Sequence, residues 1–286
     1  IEKLIESLKT EAYQPKPARR VYIPKPGSDK KRPLGIPCIW DRLVQQCILQ
    51  VLEPICEPKF HNHSYGFRPN RDTHHAISRT VSMINMYKHY YCVDVDIKGF
   101  FDNVDHGKLL KQICTLGIRD KRLISIISKI LKSEIKGEGI PTKGTPQGGI
   151  ISPLLSLIVL NELDWWIASQ WEFFPLEENK RKNKNYYLKN SKLKRCYIVR
   201  YADDFKIICK KKSDAEKLFI ATKKWLKERL GLETSPEKSK IVNLRKHYSE
   251  FLGFKIKVKF KRKKYVIKSC ISDKAKMKIK ANCNKA

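Results

Sequence analysis

Apolar and polar residues alternate most regularly in two stretches of this chain, and in both the polar positions turn acidic. From Tyr91 to Ile97, Tyr91, Val93, Val95 and Ile97 fall on one face and Cys92, Asp94 and Asp96 on the other, the period of a strand. About a hundred residues later, CYIVRYADDFKIICK sets two apolar runs on either side of Asp203 and Asp204, with Tyr197, Val199 and Tyr201 alternating along the first. This predicts a β-hairpin with both carboxylates at its tip. A two-residue hairpin turn favours Asn-Gly or Asp-Gly because its central residues take φ > 0. An Asp-Asp turn breaks that rule, and local rules are broken mostly where a site needs it.

Helical spacing organises most of the remainder. Ile1, Leu4, Ile5 and Leu8 predict a short amphipathic helix, and residues 39–55 a second one stopped by Pro54 and Pro58. Between them, 21–24 and 34–37 read as two strands around a turn at Pro26–Asp29. Asp72 or Thr73 can cap a helix from His74, and 107–136 reads as one helical scaffold. GTPQGG (144–149) is a flexible loop, followed by Ser152 as N-cap and Pro153 at the first position of an apolar helix reaching Trp171. Residues 172–195 read as a solvated basic loop, 214–230 as a helix ended by Gly231, and 255–269 as a basic hairpin.

Charge changes this picture more than composition does. Sixty Lys and Arg against 29 Asp and Glu give a formal charge of +31, which points to a polyanionic partner. No amphipathic anchor or lipidation signal suggests a membrane, and the apolar run 150–160 contains Pro153 and is too short to span one. The nine cysteines include no Cys-x-x-Cys pair and read as reduced core residues of a cytoplasmic protein. The seven histidines have no carboxylate or cysteine at metal-ligand spacing. The chain does not begin with Met and reads as a fragment.

Should the two acidic strands pair, Asp96 meets Asp203 and Asp204. Three crowded carboxylates repel, so they take up protons or bind divalent cations, and an oxygen-only donor set suits Mg²⁺. Two such ions can clamp the attacking and leaving oxygens of a nucleotidyl transfer.

YADD in a hairpin, DIKGFFDNVDH upstream and GTPQGGIISPLL between them resemble the reverse transcriptases, or maturases, encoded by bacterial group II introns. IPKPGSDKKRPLGIPCIWDRLVQQ, HSYGFRPNRDTHHAI, LGLETSPEKSKI and YSEFLGFKI follow the order of that family. The resemblance implies an α+β right-hand polymerase with an antiparallel palm sheet packed on helices. It divides the chain into fingers at 1–90, a first catalytic strand at 91–106, a helical segment and Gly-rich loop at 107–150, a palm at 151–270 and a linker from 271, with the thumb absent.

It also implies roles for residues. Asp96, Asp203 and Asp204 would be catalytic and, together with Ile97, would hold two Mg²⁺ ions. Lys25, Arg32, Phe101, Gln147, Gly148 and Lys238 would contact the nucleotide, with Phe101 excluding a 2′-OH and Lys238 near the departing pyrophosphate. Arg68 and Arg71 would contact RNA. The implied partners are group II intron RNA, an RNA template, a DNA primer and dNTP, and a homodimer is admitted. A non-catalytic RNA-binding maturase and a retron, diversity-generating or CRISPR-associated reverse transcriptase are the alternatives.

Overall fold

A computed structural model of the chain describes residues 1–24, 31–176 and 183–283. It divides into two compact units: unit 1 comprises Ile1–Phe60, Gly99–Leu160 and Glu228–Leu232, and unit 2 comprises His61–Lys98, Asn161–Lys227 and Glu233–Ala286. The segment expected as fingers is therefore shared, 1–60 in unit 1 and 61–90 in unit 2.

Unit 1 carries α1 (Glu2–Lys9), the antiparallel pair β1 (Arg19–Pro24) and β2 (Lys31–Ile36), and α2 (Ile39–Cys56). The expected turn at 26–29 lies outside the described residues. α2 runs through Pro54, which the sequence reading took as its stop. Pro54 has no N–H to offer the Gln50 carbonyl, so the helix reaches Cys56 at the cost of one hydrogen bond in its last turn. After a short α4 (Phe100–Asn103), the helical stretch expected over 107–136 is two helices, α5 (His106–Thr115) and α6 (Lys121–Leu131). The chain turns between the latter two at Gly117, φ 88°, and α6 restarts on an Asp120 side-chain cap. Ala18 bridges Ile135 in parallel, tying the approach to β1 to the segment after α6.

Unit 2 is built on a four-stranded antiparallel sheet of order β4-β5-β3-β6, from β3 (Tyr91–Asp96), β4 (Cys196–Tyr201), β5 (Asp204–Cys209) and β6 (Lys240–Asn243). β4 is buried on both faces rather than alternating, apart from its last residue. A second sheet, β7 (Ser249–Phe251), β8 (Phe254–Lys261) and β9 (Lys264–Ile271), adds Ile256 and Val258 to a core that includes Met83, Tyr90, Val199 and Ile208. α3 (Thr73–Tyr87) starts on the expected Asp72, whose carboxylate accepts the His75 N–H in a reciprocal capping box. α7 (Ser152–Ser169), which belongs to unit 1 as far as Leu160, begins at Ser152 itself, so Pro153 is its second residue, and the Ser152 hydroxyl donates to the Pro146 carbonyl instead of capping the helix. α8 (Lys184–Asn190) is helical where a loop was expected. α9 (Lys212–Trp225) continues as a wider turn to Leu230 and ends at Gly231, φ 72°. α10 (Asp273–Cys283) occupies the expected linker. No helix among the described residues is long and apolar enough to cross a membrane.

Candidate active site

The acidic strands pair as expected, but the hairpin is registered differently. β5 lies between β3 and β4, with Asp96 opposite Asp204 on one side and Tyr201 opposite Asp204 on the other. The turn residues are thus Ala202 and Asp203, and Asp204 is the first residue of the outgoing strand. Ala202, at φ 57°, carries the left-handed conformation that the sequence reading had assigned to the aspartate pair.

Two devices hold that turn. Arg200 donates through Nη1 to the Ala202 carbonyl at 2.8 Å, and its own guanidinium is gripped by Asp164, with Nε 2.8 Å from Oδ1. Both side chains are 1 % exposed, so each satisfies a charge the other would leave stranded. The second device is Gly66. A Cβ there would stand 2.3 Å from the Ala202 nitrogen, so only glycine lets this segment reach the turn. Beside it the Tyr65 N–H donates to the Arg200 carbonyl and the Arg200 N–H to the His63 carbonyl, both at 2.9 Å, which covers the free edge of β4.

Behind the tip, the two charged rungs of the β3–β5 ladder, which share one face, differ in sign. Asp94 faces Lys206, an opposite-charge pair with Nζ 2.6 Å from Oδ1. Ser249 donates to Asp94 at 2.9 Å and accepts from Lys206 at 2.7 Å, which leaves the buried ammonium well satisfied. Beyond the apolar Val95–Phe205 rung, the next rung on the same face, Asp96 facing Asp204, is a like-charge pair, and directly opposed like charges destabilise a sheet. The protein packed around Asp204 pushes its carboxyl up to about 6. Lys206 works against that rise, and Asp94, Asp203 and Asp96 add to it. Asp204 still meets solvent, so it can exchange its proton for another cation.

Asp96 is fixed through its backbone. Its N–H donates to Ser239 Oγ at 3.1 Å and its carbonyl accepts the Ser235 N–H at 2.8 Å. Its carboxylate lies 3.3 Å from Lys238 Nζ, which places the expected pyrophosphate lysine beside a metal candidate. Ile97 is buried and bridges Thr234. Among the described residues no three His, Cys, Asp or Glu side chains form a metal-holding cluster. A divalent ion suits these residues through the chemistry of the like-charge rung, which is all oxygen donors and is relieved by a cation.

The remaining site candidates behave unequally. In unit 1, Phe100 is 2 % exposed, whereas Phe101 is half-buried and meets it edge-on at 5.3 Å, so Phe100 is the core ring of the two. The Gly-rich loop is stitched to its surroundings: Thr145 N–H donates to the Phe101 carbonyl at 2.7 Å, Gln147 Nε2 to Asp102 at 3.0 Å, and Gly35 N–H to the Gln147 carbonyl at 2.8 Å. Gly148 has φ 114°, and a Cβ there would press on the Gly35 carbonyl at 3.1 Å. Arg32 is exposed on β2, and Lys25 lies outside the described residues.

In unit 2 the expectation that Arg68 faces RNA needs correcting. Arg68 is buried, and its Nη1 donates to the carbonyls of His61 and Ser64 at 2.7 and 3.0 Å, so it shapes the loop bearing Gly66. Arg71 remains nearer the surface, over the Tyr65 ring and bonded to the Asn62 carbonyl. Reading the sequence missed Arg200, Asp164, Lys206 and Gly66. The signal for two of them was present, since a single cation inside each apolar run, VRY and DFKII, marks a buried charge in need of a partner.

A pair of antiparallel strands presenting aspartates beside a left-handed turn, in a sheet backed by helices, defines a palm-type polymerase core. Comparison with known proteins places it further. The family described as reverse transcriptase (RNA-dependent DNA polymerase) matches residues 23–256, and the chain belongs to that family. It is 37 % identical over 265 residues to the protein YkfC of Escherichia coli K12, covering 85 % of this chain and 68 % of that one. It is 34 % identical over 302 residues to the group II intron-encoded protein LtrA of Lactococcus lactis subsp. cremoris, covering 91 % of this chain and 50 % of LtrA. The chain therefore spans half the length of that relative. Among solved structures, a Candida tropicalis telomerase in complex with a fragment of telomeric RNA shares the fold, with a TM-score of 0.60 and 16 % identity over 90 % of this chain and 47 % of that one. The expected right-hand fold and intron-type reverse transcriptase kinship are thereby borne out. Reverse transcriptases as a family use divalent metal ions.

Proposed function

We propose that this chain is the polymerase core of a group II intron-encoded protein that copies intron RNA into DNA and binds the same RNA to assist splicing. The observation that carries the reading is the Asp96–Asp204 rung beside Asp203, a placement of like charges with no structural benefit unless a cation joins them. Asp96, Asp203 and Asp204 hold the metal, assigned as two Mg²⁺ ions, with the Ile97 carbonyl as a backbone donor. When bound, such ions make a primer 3′-OH more acidic and neutralise a departing pyrophosphate.

The chain's own groups do the rest. Arg200 and Gly66 fix the turn so that Asp203 does not have to be ordered at the moment of reaction, which is the value of preorganisation. Lys238 offers an ammonium for phosphate oxygens beside Asp96. In unit 1, Arg32, Phe101, Gln147 and Gly148 take the nucleotide-contacting roles, with Phe101 reading the sugar, and Lys25 is assigned with them. The substrates are an RNA template, a DNA primer and dNTP.

The net charge of +31 favours a second reading, in which the fold only binds intron RNA as a maturase. Primer extension on an RNA template, with and without Mg²⁺, separates the two. Template-dependent, Mg²⁺-dependent products are expected, and RNA binding with no extension at any Mg²⁺ concentration would leave only the maturase role.

A further inference from the structure

The β8–β9 hairpin is charged in a way that its fold does not use. Between Phe254 and Ile271 stand eight Lys or Arg and no Asp or Glu. The register places Lys257 opposite Lys268 and Lys261 opposite Lys264, so like charges face each other across the strands, where they destabilise the pairing. The side chains alternate: Ile256, Val258 and Ile267 point into the core, and Lys259, Lys261, Lys264 and Lys268 share the opposite face.

Lys255 is paired with Asp273 and Glu250, and Lys257 lies over the Tyr248 ring. Lys259, Lys261, Lys264 and Lys268 are exposed, and no carboxylate among the described residues pairs with any of them. The turn itself is Arg262-Lys263, both left-handed at φ 47° and 63°, in a position where Asn-Gly would be unstrained and uncharged. At the same end the core face runs out into solvent: Phe260 is 66 % exposed and meets the rim ring Tyr265 edge-on at 5.2 Å.

Opposed lysines, two cations at strained turn positions and a bare aromatic ring all weaken a hairpin, and all fit one ligand chemistry. We propose that the β8–β9 hairpin is a docking surface for single-stranded RNA. Its lysine face and turn track the phosphates, and Phe260 stacks a base at the tip. Successive lysines on one strand face stand about 6.6 Å apart, a repeat suited to consecutive charges on an extended backbone. Stacking plus a cationic track is how sequence-tolerant single-strand binders are built. This surface goes beyond the polymerase reading, because it needs neither metal nor nucleotide.

The test is fluorescence anisotropy of the whole chain with an unstructured 20-nucleotide RNA, in parallel with DNA of the same sequence and with vesicles of phosphatidylserine and phosphatidylcholine. In one variant Lys259, Lys261, Lys264 and Lys268 become Gln. In a control the exposed lysines 211, 217, 223 and 227, around α9, become Gln, which removes the same net charge elsewhere. The hairpin variant is expected to lose more than about tenfold in RNA affinity and about three units of salt slope, at roughly 0.7 per phosphate contact, and the control less than about threefold. Phe260→Ala, a change at an exposed ring that leaves the fold undisturbed, is expected to cost about fivefold or more through lost stacking. Mg²⁺-dependent extension of a short pre-annealed primer at low salt should persist in all variants, so loss of the docking surface and loss of the polymerase reading give different results. Equal losses in the hairpin and control variants, no effect of Phe260→Ala, tighter binding of the DNA, or hairpin-dependent binding of the vesicles in place of RNA would each overturn the proposal.

Discussion

Two antiparallel hairpins of unit 2, β4–β5 and β8–β9, turn through left-handed non-glycine residues and treat charge in opposite ways. In the β4–β5 hairpin the cations Arg200 and Lys206 are buried, and each is matched to a carboxylate and to further hydrogen bonds. In the β8–β9 hairpin six of the eight cations are exposed, and Lys257 faces Lys268 and Lys261 faces Lys264. A buried unpaired charge costs several kcal/mol, so the first hairpin can hold its cations only as parts of a positioned network. An exposed charge costs little, so the second can leave its cations for a ligand. The aspartates at the YADD tip are the intermediate case. Each is partly solvated, Asp96 and Asp204 oppose one another, and the exposed Lys238 stands 3.3 Å from Asp96.

The sharpest break in this comparison is to remove a tip charge. Asp203→Asn keeps the turn's shape and removes a metal-seeking oxygen charge. Extension is expected to fall by about a thousandfold or more, the scale of several kcal/mol of lost charge stabilisation. RNA affinity should stay within about twofold, since a lost negative charge cannot weaken binding to a polyanion. Rates equal to the parent's in a single-turnover assay would remove Asp203 from the site.

Next in size is the Arg200–Asp164 pair. Arg200→Met alone leaves Asp164 buried and unpaired, and about 3–5 kcal/mol of stability should be lost in thermal or denaturant unfolding. Arg200→Met with Asp164→Leu should recover most of that, because a well-packed apolar pair is often as stable as the ion pair it replaces. The Ala202 carbonyl would still lack its donor, so the Mg²⁺ concentration for half-maximal extension should stay raised in the double variant. If it returns to the parent's value, Arg200 serves stability alone and the turn positions itself.

These two residues also mark where sequence reading succeeds and where it stops. The acidic strands, the capped helix at Asp72 and the Gly-rich loop were legible because period-2 alternation, capping chemistry and glycine are local signals. The register of the YADD turn was not, since a one-residue shift between Ala202-Asp203 and Asp203-Asp204 leaves the apolar pattern unchanged and is decided by Arg200, Asp164 and Gly66 from three distant segments. Arg68 misled for a related reason. An arginine in a Pro-Asn loop reads as exposed, and only the tertiary path of 61–66 supplies the carbonyls that bury it. The break after α5 was local, at Gly117, but was read through because the apolar spacing on both sides is helical.

A smaller effect should follow pH. The Asp204 carboxyl sits at about 6 in the folded chain, above its ordinary value. A raised carboxyl favours the protonated folded state, so its contribution to stability is full below the unfolded value and is lost as pH rises through about 6. Metal binding runs the other way, because the cation needs the carboxylate. The Mg²⁺ concentration for half-maximal extension is therefore expected to be flat above about pH 7 and to rise toward tenfold per unit below about 6, as one proton competes for the site. The same titration on Asp204→Asn, followed by calorimetric binding of Mg²⁺ rather than by activity, should lose that dependence. Persistence of the dependence in the variant would assign it to another group.

The smallest expected change tests unit 1, where two neighbouring phenylalanines divide core from surface much as the two hairpins divide their charges. Phe100 is 2 % exposed, while Phe101 keeps one side open and its backbone is held by the Thr145 N–H. Truncating Phe101 should leave the chain path intact and remove only the ring. If that ring excludes a 2′-OH, Phe101→Val opens the space, and discrimination between dNTP and rNTP should fall by roughly five- to tenfold, the modest scale on which a pocket sorts substrates by one small group. Phe100→Val should instead lower stability by about 1–3 kcal/mol through a cavity and leave sugar selectivity alone. Steady-state kcat/KM for dGTP and GTP on one template, measured for both variants beside their unfolding midpoints, separates the roles. Selectivity that moves with Phe100 and not with Phe101 would exchange the two assignments, and selectivity that moves with neither would place the sugar gate elsewhere in the chain.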